Sequence, residues 1–181
     1  MLYNRDQRVG VFIDIQNLYH SAKNLYKARV NFAALLKQVL GDRKLIRAIG
    51  YVVKSETSLG EQSFFEALEK AGIELRIKDL QIFVDGSKKA DWDVGMAVDA
   101  IRMAQSLDVI ILVTGDGDFV PLVEYLKWGN GCHVEVASFG RSTSSKLKES
   151  ADLYINLEEK NNRLLIRGGA RRNRNNYELK K

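Results

Sequence analysis

Val11-Phe12-Ile13-Asp14-Ile15-Gln16-Asn17 (residues 11–17) and Ile111-Leu112-Val113-Thr114-Gly115-Asp116-Gly117-Asp118-Phe119 (residues 111–119) are the stretches whose reading decides the fold. Each is an apolar, β-branched run that ends on oxygen-bearing side chains. Such a run reads as a strand buried on both faces of a parallel sheet. The acids at its end then emerge at the sheet rim, where open α/β sheets bind ligands. Asp116 and Asp118 alone fit a turn, since Gly-Asp-Gly-Asp is turn-forming in any fold. Asp14 is harder to explain that way, because a lone charge inside an apolar run is costly to bury without a partner.

Outward from these stretches the same alternation continues. Apolar runs at 9–15, 45–53, 73–77, 108–114, 132–138 and 153–157 read as strands. Between them, Phe64, Phe65, Leu68 and Ala71 recur at helical spacing, as do Val94, Ala97, Val98, Ile101 and Ala104, and Phe119, Leu122, Val123 and Leu126. Strands and helices in alternation predict a parallel sheet covered on both faces. Gly72, Gly129 and Gly131 fall just past helix ends, where a left-handed residue is expected. The stretch at 85–90 reads as a turn or loop before a helix that starts near Asp91 or Trp92. Trp128 shares a helix with Leu122 and Leu126 and is expected to pack with them.

With 181 residues, 45% of them apolar, the chain suits one domain with a real core. No run approaches the roughly 20 apolar residues of a membrane span, and the first residues lack a signal-peptide core, so the expected compartment is the cytoplasm. A single cysteine, Cys132, excludes an internal disulfide and is expected as a small buried strand residue. The net charge of +5 is unevenly spread. Residues 160–181 hold eight basic residues against one acid, or +7, which leaves −2 for residues 1–159. We therefore expect a folded domain over 1–159 and a basic, flexible tail over 160–181. Composition leaves two roles for that tail: a solubilising appendage, or an arm that binds phosphate backbones.

If the strands at 9–15 and 108–114 are neighbours, Asp14, Asp93, Asp116 and Asp118 converge. Several carboxylates at close range repel unless a cation neutralises them. Carboxylates, an amide such as Asn17 and water are the oxygen donors that Mg²⁺ or Mn²⁺ prefers, whereas His20 and His133 lie far apart in sequence and form no transition-metal cluster. A Mg²⁺ held by few carboxylates keeps positions for water and phosphate, which suits phosphodiester hydrolysis. Asp91 or Asp93 equally fits a helix cap. Asp99, about 120° round the helix from Asp93, stands in a second tier with Asp91. Lys88 and Lys89 lie just before Asp91, and Arg141, Lys146 and Lys148 flank the hydroxyl-bearing segment 142–145, which includes Ser144 and Ser145; all of these offer phosphate contacts, as do Arg171, Arg172 and Arg174 in the tail. Tyr19, Tyr26 and Trp92 fit either base stacking or core packing.

Phe12-Ile13-Asp14-Ile15-Gln16-Asn17, the helix motif at 89–100, Val113–Val123 and the closing segment 144–157 together resemble NYN domains of the LabA-like group, relatives of PIN-domain nucleases. The resemblance covers about residues 8 to 158. It implies a PIN-like three-layer α/β/α sandwich with a mainly parallel sheet of five or six strands. It also implies Asp14, Asp93, Asp116 and Asp118 as metal-site acids and Asn17 as the characteristic asparagine. The family's helix motif commonly reads Lys-Gly-Val-Asp; here Asp91 takes the glycine position. The leading expectation is a metal-dependent ribonuclease using Mg²⁺ or Mn²⁺, with RNA as partner. The alternatives are an RNA-binding or regulatory module that cleaves little, and a haloacid-dehalogenase-like phosphatase. The last needs an acid two residues after its nucleophile, where this chain has Gln16. Whether the chain forms a homo-oligomer is left open by the sequence.

Overall fold

A computed structural model of the chain describes residues 4–54, 61–82, 88–89, 91–158 and 164–167, with the backbone alone at 81–82 and 88–89. In chain order the elements are β1 (Arg8–Asp14), α1 (Ile15–Tyr26), β2 (Ala28–Val30), α2 (Phe32–Leu40), β3 (Lys44–Lys54), α3 (Glu61–Lys70), β4 (Glu74–Asp79) and β5 (Gln81–Ile82). They continue with β6 (Lys88–Lys89), α4 (Asp93–Ala104), β7 (Val109–Val113), α5 (Val120–Trp128), β8 (His133–Ser138), α6 (Ser145–Ser150), β9 (Leu153–Asn156) and β10 (Leu165–Arg167).

The main sheet has six strands in the order β4-β3-β1-β7-β8-β9, every adjacent pair parallel. Counted among these strands alone, the chain starts in the middle, runs to one edge, then crosses back and fills the other side. β1 and β7 are therefore the neighbours at which strand order reverses, with Ile13 paired to Val113. At that reversal the connections leave in opposite directions and open a crevice beyond the carboxyl ends.

Side chains alternate across β1. Val9, Val11 and Ile13 face a core built with α1, α2 and α3 through Leu18, Leu35 and Leu68, whereas Phe12 faces a second core built with α4, α5 and α6 through Met96, Leu126 and Leu147. All five residues of β7 are buried, which accounts for its continuous apolar run. Each buried Ile or Leu there contributes about 1.5–3 kcal/mol. The result is the three-layer α/β/α sandwich expected from the sequence. Among the described residues no helix is long and apolar enough to cross a membrane.

Several details differ from the sequence reading. Ile15 ends no strand; it opens α1, because Asp14 caps that helix, its carboxylate accepting from the Asn17 backbone N–H at 3.0 Å. Helices α1 and α2 went unread, as did the pairing of β2 with β10. Packing runs past residue 159, since Leu164 is buried against the first core. Lys88 and Lys89, expected in a loop, form β6 and pair antiparallel with β5; the rest of the expected loop lies outside the described residues. Gly72 and Gly131 adopt positive φ, but Gly129 does not: at φ −83 it stays right-handed, and its N–H reaches the Tyr125 carbonyl. Trp128 is 85% exposed, because Leu122, Val123 and Leu126 take the buried face of α5 and position 128 turns away from it. Cys132 is buried and in no disulfide, as expected, but it lies one residue before β8 rather than in a strand.

Candidate functional site

The β1 and β7 carboxyl ends are tied together by hydrogen bonds. Thr114, fully buried at the end of β7, donates from its hydroxyl to the second oxygen of Asp14 at 3.3 Å and accepts from the Asp116 N–H at 3.2 Å. The Asn17 side-chain oxygen accepts from the Gly115 N–H at 3.1 Å. Asp116 in turn accepts from the Asp118 N–H at 3.0 Å, closing the short turn Gly117–Phe119. One helix start on β1 and one turn after β7 thus hold each other in place. Thr114 is the central link, and nothing in its local sequence marked it as more than a turn residue.

Gly115 has a steric reason to be glycine. A Cβ there would sit 2.7 Å from the Ser142 carbonyl oxygen, and the Gly115 carbonyl accepts the Ser144 N–H at 3.0 Å. This contact brings the 142–145 segment against the acidic turn, with the Ser144 hydroxyl beside Gly117. Ser145 and Lys146 are exposed on the first turn of α6. Its neighbours are spent on structure: Thr143 donates to Phe139 at 2.6 Å, Lys148 to Gly140 at 2.7 Å, and Arg141 pairs with Glu158 at 3.6 Å.

Asp93 arrives from the other layer. It is the first residue of α4, whose start is fixed by Trp92: the indole N–H donates to the Val52 carbonyl at 2.8 Å and the ring lies 5.5 Å from that of Tyr51. Trp92 is therefore an anchor on β3. Gly95 leaves room for it, since a Cβ there would meet the indole at 2.6 Å. Neither Asp91 nor Asp93 caps α4, which has no side-chain cap. Asp91 is exposed just before the helix, its carbonyl accepting from Lys78.

The electrostatics show which acids meet. Burial raises the Asp93 pKa to about 6, with added repulsion from Asp116, Asp14, Asp91 and Asp118. Burial also raises Asp14, opposed by its bonds from Asn17 and Thr114 and reinforced by the charge on Asp116. Asp99 is excluded from this group. It accepts from the Tyr51 hydroxyl at 3.1 Å and pairs with Arg76 at 3.4 Å, and burial together with that carboxylate pushes the tyrosine pKa upward. The side chains of Lys88 and Lys89, and Arg171, Arg172 and Arg174 entirely, lie outside the described residues.

The donor set fits a hard cation: three acids from three elements, half-buried and mutually repelling, with a fourth, exposed acid and an amide alongside. Among the described residues, no three acid, histidine or cysteine side chains already stand in a ready ligating group. Oxygens of Asp14 and Asp116 are instead turned onto backbone N–H groups.

A parallel α/β/α domain with acids at the reversal of strand order defines a class of rim-site α/β proteins. The NYN domain model matches residues 8–158, and the chain belongs to the NYN domain family. It is 26% identical over 166 residues to the low amplitude and bright protein LabA of Synechococcus elongatus, covering 86% of each chain. A crystal structure of a protein of unknown function from Vibrio parahaemolyticus superposes with a TM-score of 0.81 at 29% identity, covering 92% of this chain and all of that one.

Proposed function

We propose that this protein is a divalent-metal-dependent ribonuclease. The observation that carries the reading is the convergence of Asp14, Asp93 and Asp116, from β1, the start of α4 and the turn after β7, at the reversal of strand order, where burial and neighbouring carboxylates push the Asp93 pKa up to about 6. A site that gathers acids from three elements, with no ion pair to Asp14, Asp93 or Asp116 among the described residues, stores repulsion that a bound cation relieves. Membership of the NYN family supports nuclease chemistry as the use of that site.

Asp14, Asp93 and Asp116 would hold Mg²⁺ or Mn²⁺, which supplies phosphate polarisation and a nucleophilic water at neutral pH. Asp118, exposed on the turn, would ligate the metal or position the attacking water. Asn17 and Thr114 act through the backbone and through Asp14, locking the turn against the helix start. Ser144, Ser145 and Lys146 offer hydroxyl and ammonium donors to a phosphate beside that turn. We extend the reading to the basic segment 160–181, which would add salt-sensitive affinity for RNA through charge alone.

The test is cleavage of labelled RNA by the full chain in Mn²⁺. The expected result is hydrolysis that stops in EDTA and in Asp14→Asn. Cleavage that survives both sinks the assignment. RNA binding with no cleavage at any metal concentration would return the protein to a binding or regulatory role.

A further inference from the structure

A cavity of about 870 Å³ opens among α1, β2, α2 and α3, on the opposite face of the sheet from α4; none of the four acids lines it, but its first lining residue follows Asp14. Ligand sites commonly occupy about 300–1,000 Å³. It begins directly after Asp14: Ile15 and Gln16 line it, followed one helical turn later by Tyr19 and His20. Across from α1 stand Phe64 of α3 and Arg29 of β2. Val52 and Val53 at the end of β3 also line it, so it shares the carboxyl-end rim with the acids.

Resting on the ribonuclease reading, we infer that this cavity holds unpaired bases of the RNA strand next to the scissile phosphate. The chemistry of the wall selects that occupant. Tyr19 is 39% exposed with its ring edge-on to His20 at 5.5 Å, and Phe64 stands edge-on to Phe32 at 5.9 Å. Partly exposed aromatic rings offer flat faces to bases, and stacking of this kind tolerates any sequence. Arg29 is exposed and makes no ion pair among the described residues, so its guanidinium is available to a phosphate. Gln16 supplies donor and acceptor groups for a base edge between the aromatic wall and Asp14. A duplex keeps its bases stacked and paired, so it cannot fill the cavity, and the site predicts selection of single strands.

The test measures affinity of the full chain for a short fluorescent oligouridylate and for a labelled RNA hairpin stem, in EDTA so that nothing is cleaved. Tyr19→Ala and Arg29→Glu alter exposed side chains, and thermal midpoints confirm that both variants fold. Each is expected to weaken single-strand binding at least about fivefold while stem binding stays the same. Arg29→Glu should also flatten the salt dependence. A photo-reactive oligonucleotide should cross-link to peptides carrying Tyr19, His20 or Phe64. Unchanged affinity in both variants, or cross-links only elsewhere, overturns the inference. If the wild type cleaves RNA yet both variants bind and cleave normally, the cavity is dismissed and the nuclease stands. If binding maps to the cavity but no metal supports cleavage, the cavity stands and the nuclease reading falls.

Discussion

Two places in this fold confront the same problem and answer it oppositely. Arg43, just before β3, and Glu135, in the middle of β8, have side chains only 3% exposed, yet they meet in a two-point pair at 2.6 and 3.0 Å. The guanidinium also donates to the Val39 and Leu40 carbonyls. At the carboxyl edge, Asp14, Asp93 and Asp116 are half-buried and, among the described residues, have no ion-pair partner; burial and their mutual repulsion raise the Asp93 pKa to about 6. The first region resolves its buried charge inside the protein. The second leaves its charge to be resolved by something that binds. A fold able to build the first arrangement had the means to neutralise the second, so the difference marks a site.

The comparison can be broken most forcefully at the ion pair. Glu135→Ala should cost about 3–5 kcal/mol by leaving Arg43 buried without its carboxylate, read as a drop in the denaturation midpoint. The double change Arg43→Met with Glu135→Leu should recover most of that loss, and RNA cleavage per folded molecule should not change. A Glu135→Ala protein as stable as wild type would mean that the pair is not the closed system described.

On the acidic side the expected pattern is reversed. Asp116→Asn should lower Mn²⁺-dependent cleavage by roughly 10²–10³-fold, in line with losing one key electrostatic group, while the thermal midpoint holds or rises. Retained activity would separate the charge cluster from any chemistry.

Thr114→Val tests the link between the two halves of the site. It removes the donor to Asp14 and leaves the Asp116 N–H without its acceptor, at a stability cost of about 1–3 kcal/mol. Cleavage should fall about 10- to 100-fold, as when a group that orients a metal ligand is lost. Unchanged cleavage would make Thr114 structural alone.

The smallest effect is in pH. Asp93 titrates near 6 when folded and near 3.8 as a free carboxyl. Between those values the folded state binds more protons than the unfolded one, so this group's contribution to stability falls as pH rises from about 4 to 6 and is level above. Solvent screening at a half-exposed side chain limits the effect to about 1 kcal/mol. The difference in thermal midpoint between wild type and Asp93→Asn should therefore open across that window, with the variant more stable at neutral pH. Added Mn²⁺ should close the gap at pH 7 and have little effect at pH 4. A gap independent of both pH and metal would contradict the electrostatic account.

Much of this was legible in the chain. All six strands of the main sheet appeared as apolar runs; β1 and β7 are buried nearly throughout and so are continuously apolar, whereas the largely exposed edge strands β4 and β9 showed only through residues such as Leu75, Ile77, Leu153 and Ile155. Helices α3, α4 and α5 were visible as apolar residues at helical spacing. Helix α1 was hidden because it follows β1 without a break, Asp14 serving both as the last strand residue and as the helix cap. The pairing of β2 with β10 joins segments near opposite ends of the chain and left no local trace. Among the site residues, Asp14 and Asp116 stood out by their position at the ends of apolar runs. Asp99 looked comparable to its neighbours and proved to be held by Tyr51 and Arg76.

By itself the sequence determined which segments form the six-stranded sheet and that the runs of β1 and β7 lead into acids, because periodicity and the cost of burying charge act over a few residues. Only the tertiary structure decided that β1 lies beside β7, that Trp92, anchored to the β3 backbone, holds the start of α4 and Asp93 at the same rim, and that Glu135 inside an apolar strand has Arg43 as its partner. Those outcomes depend on contacts between residues far apart in the chain, where local propensity carries no information and packing of two cores on one sheet does.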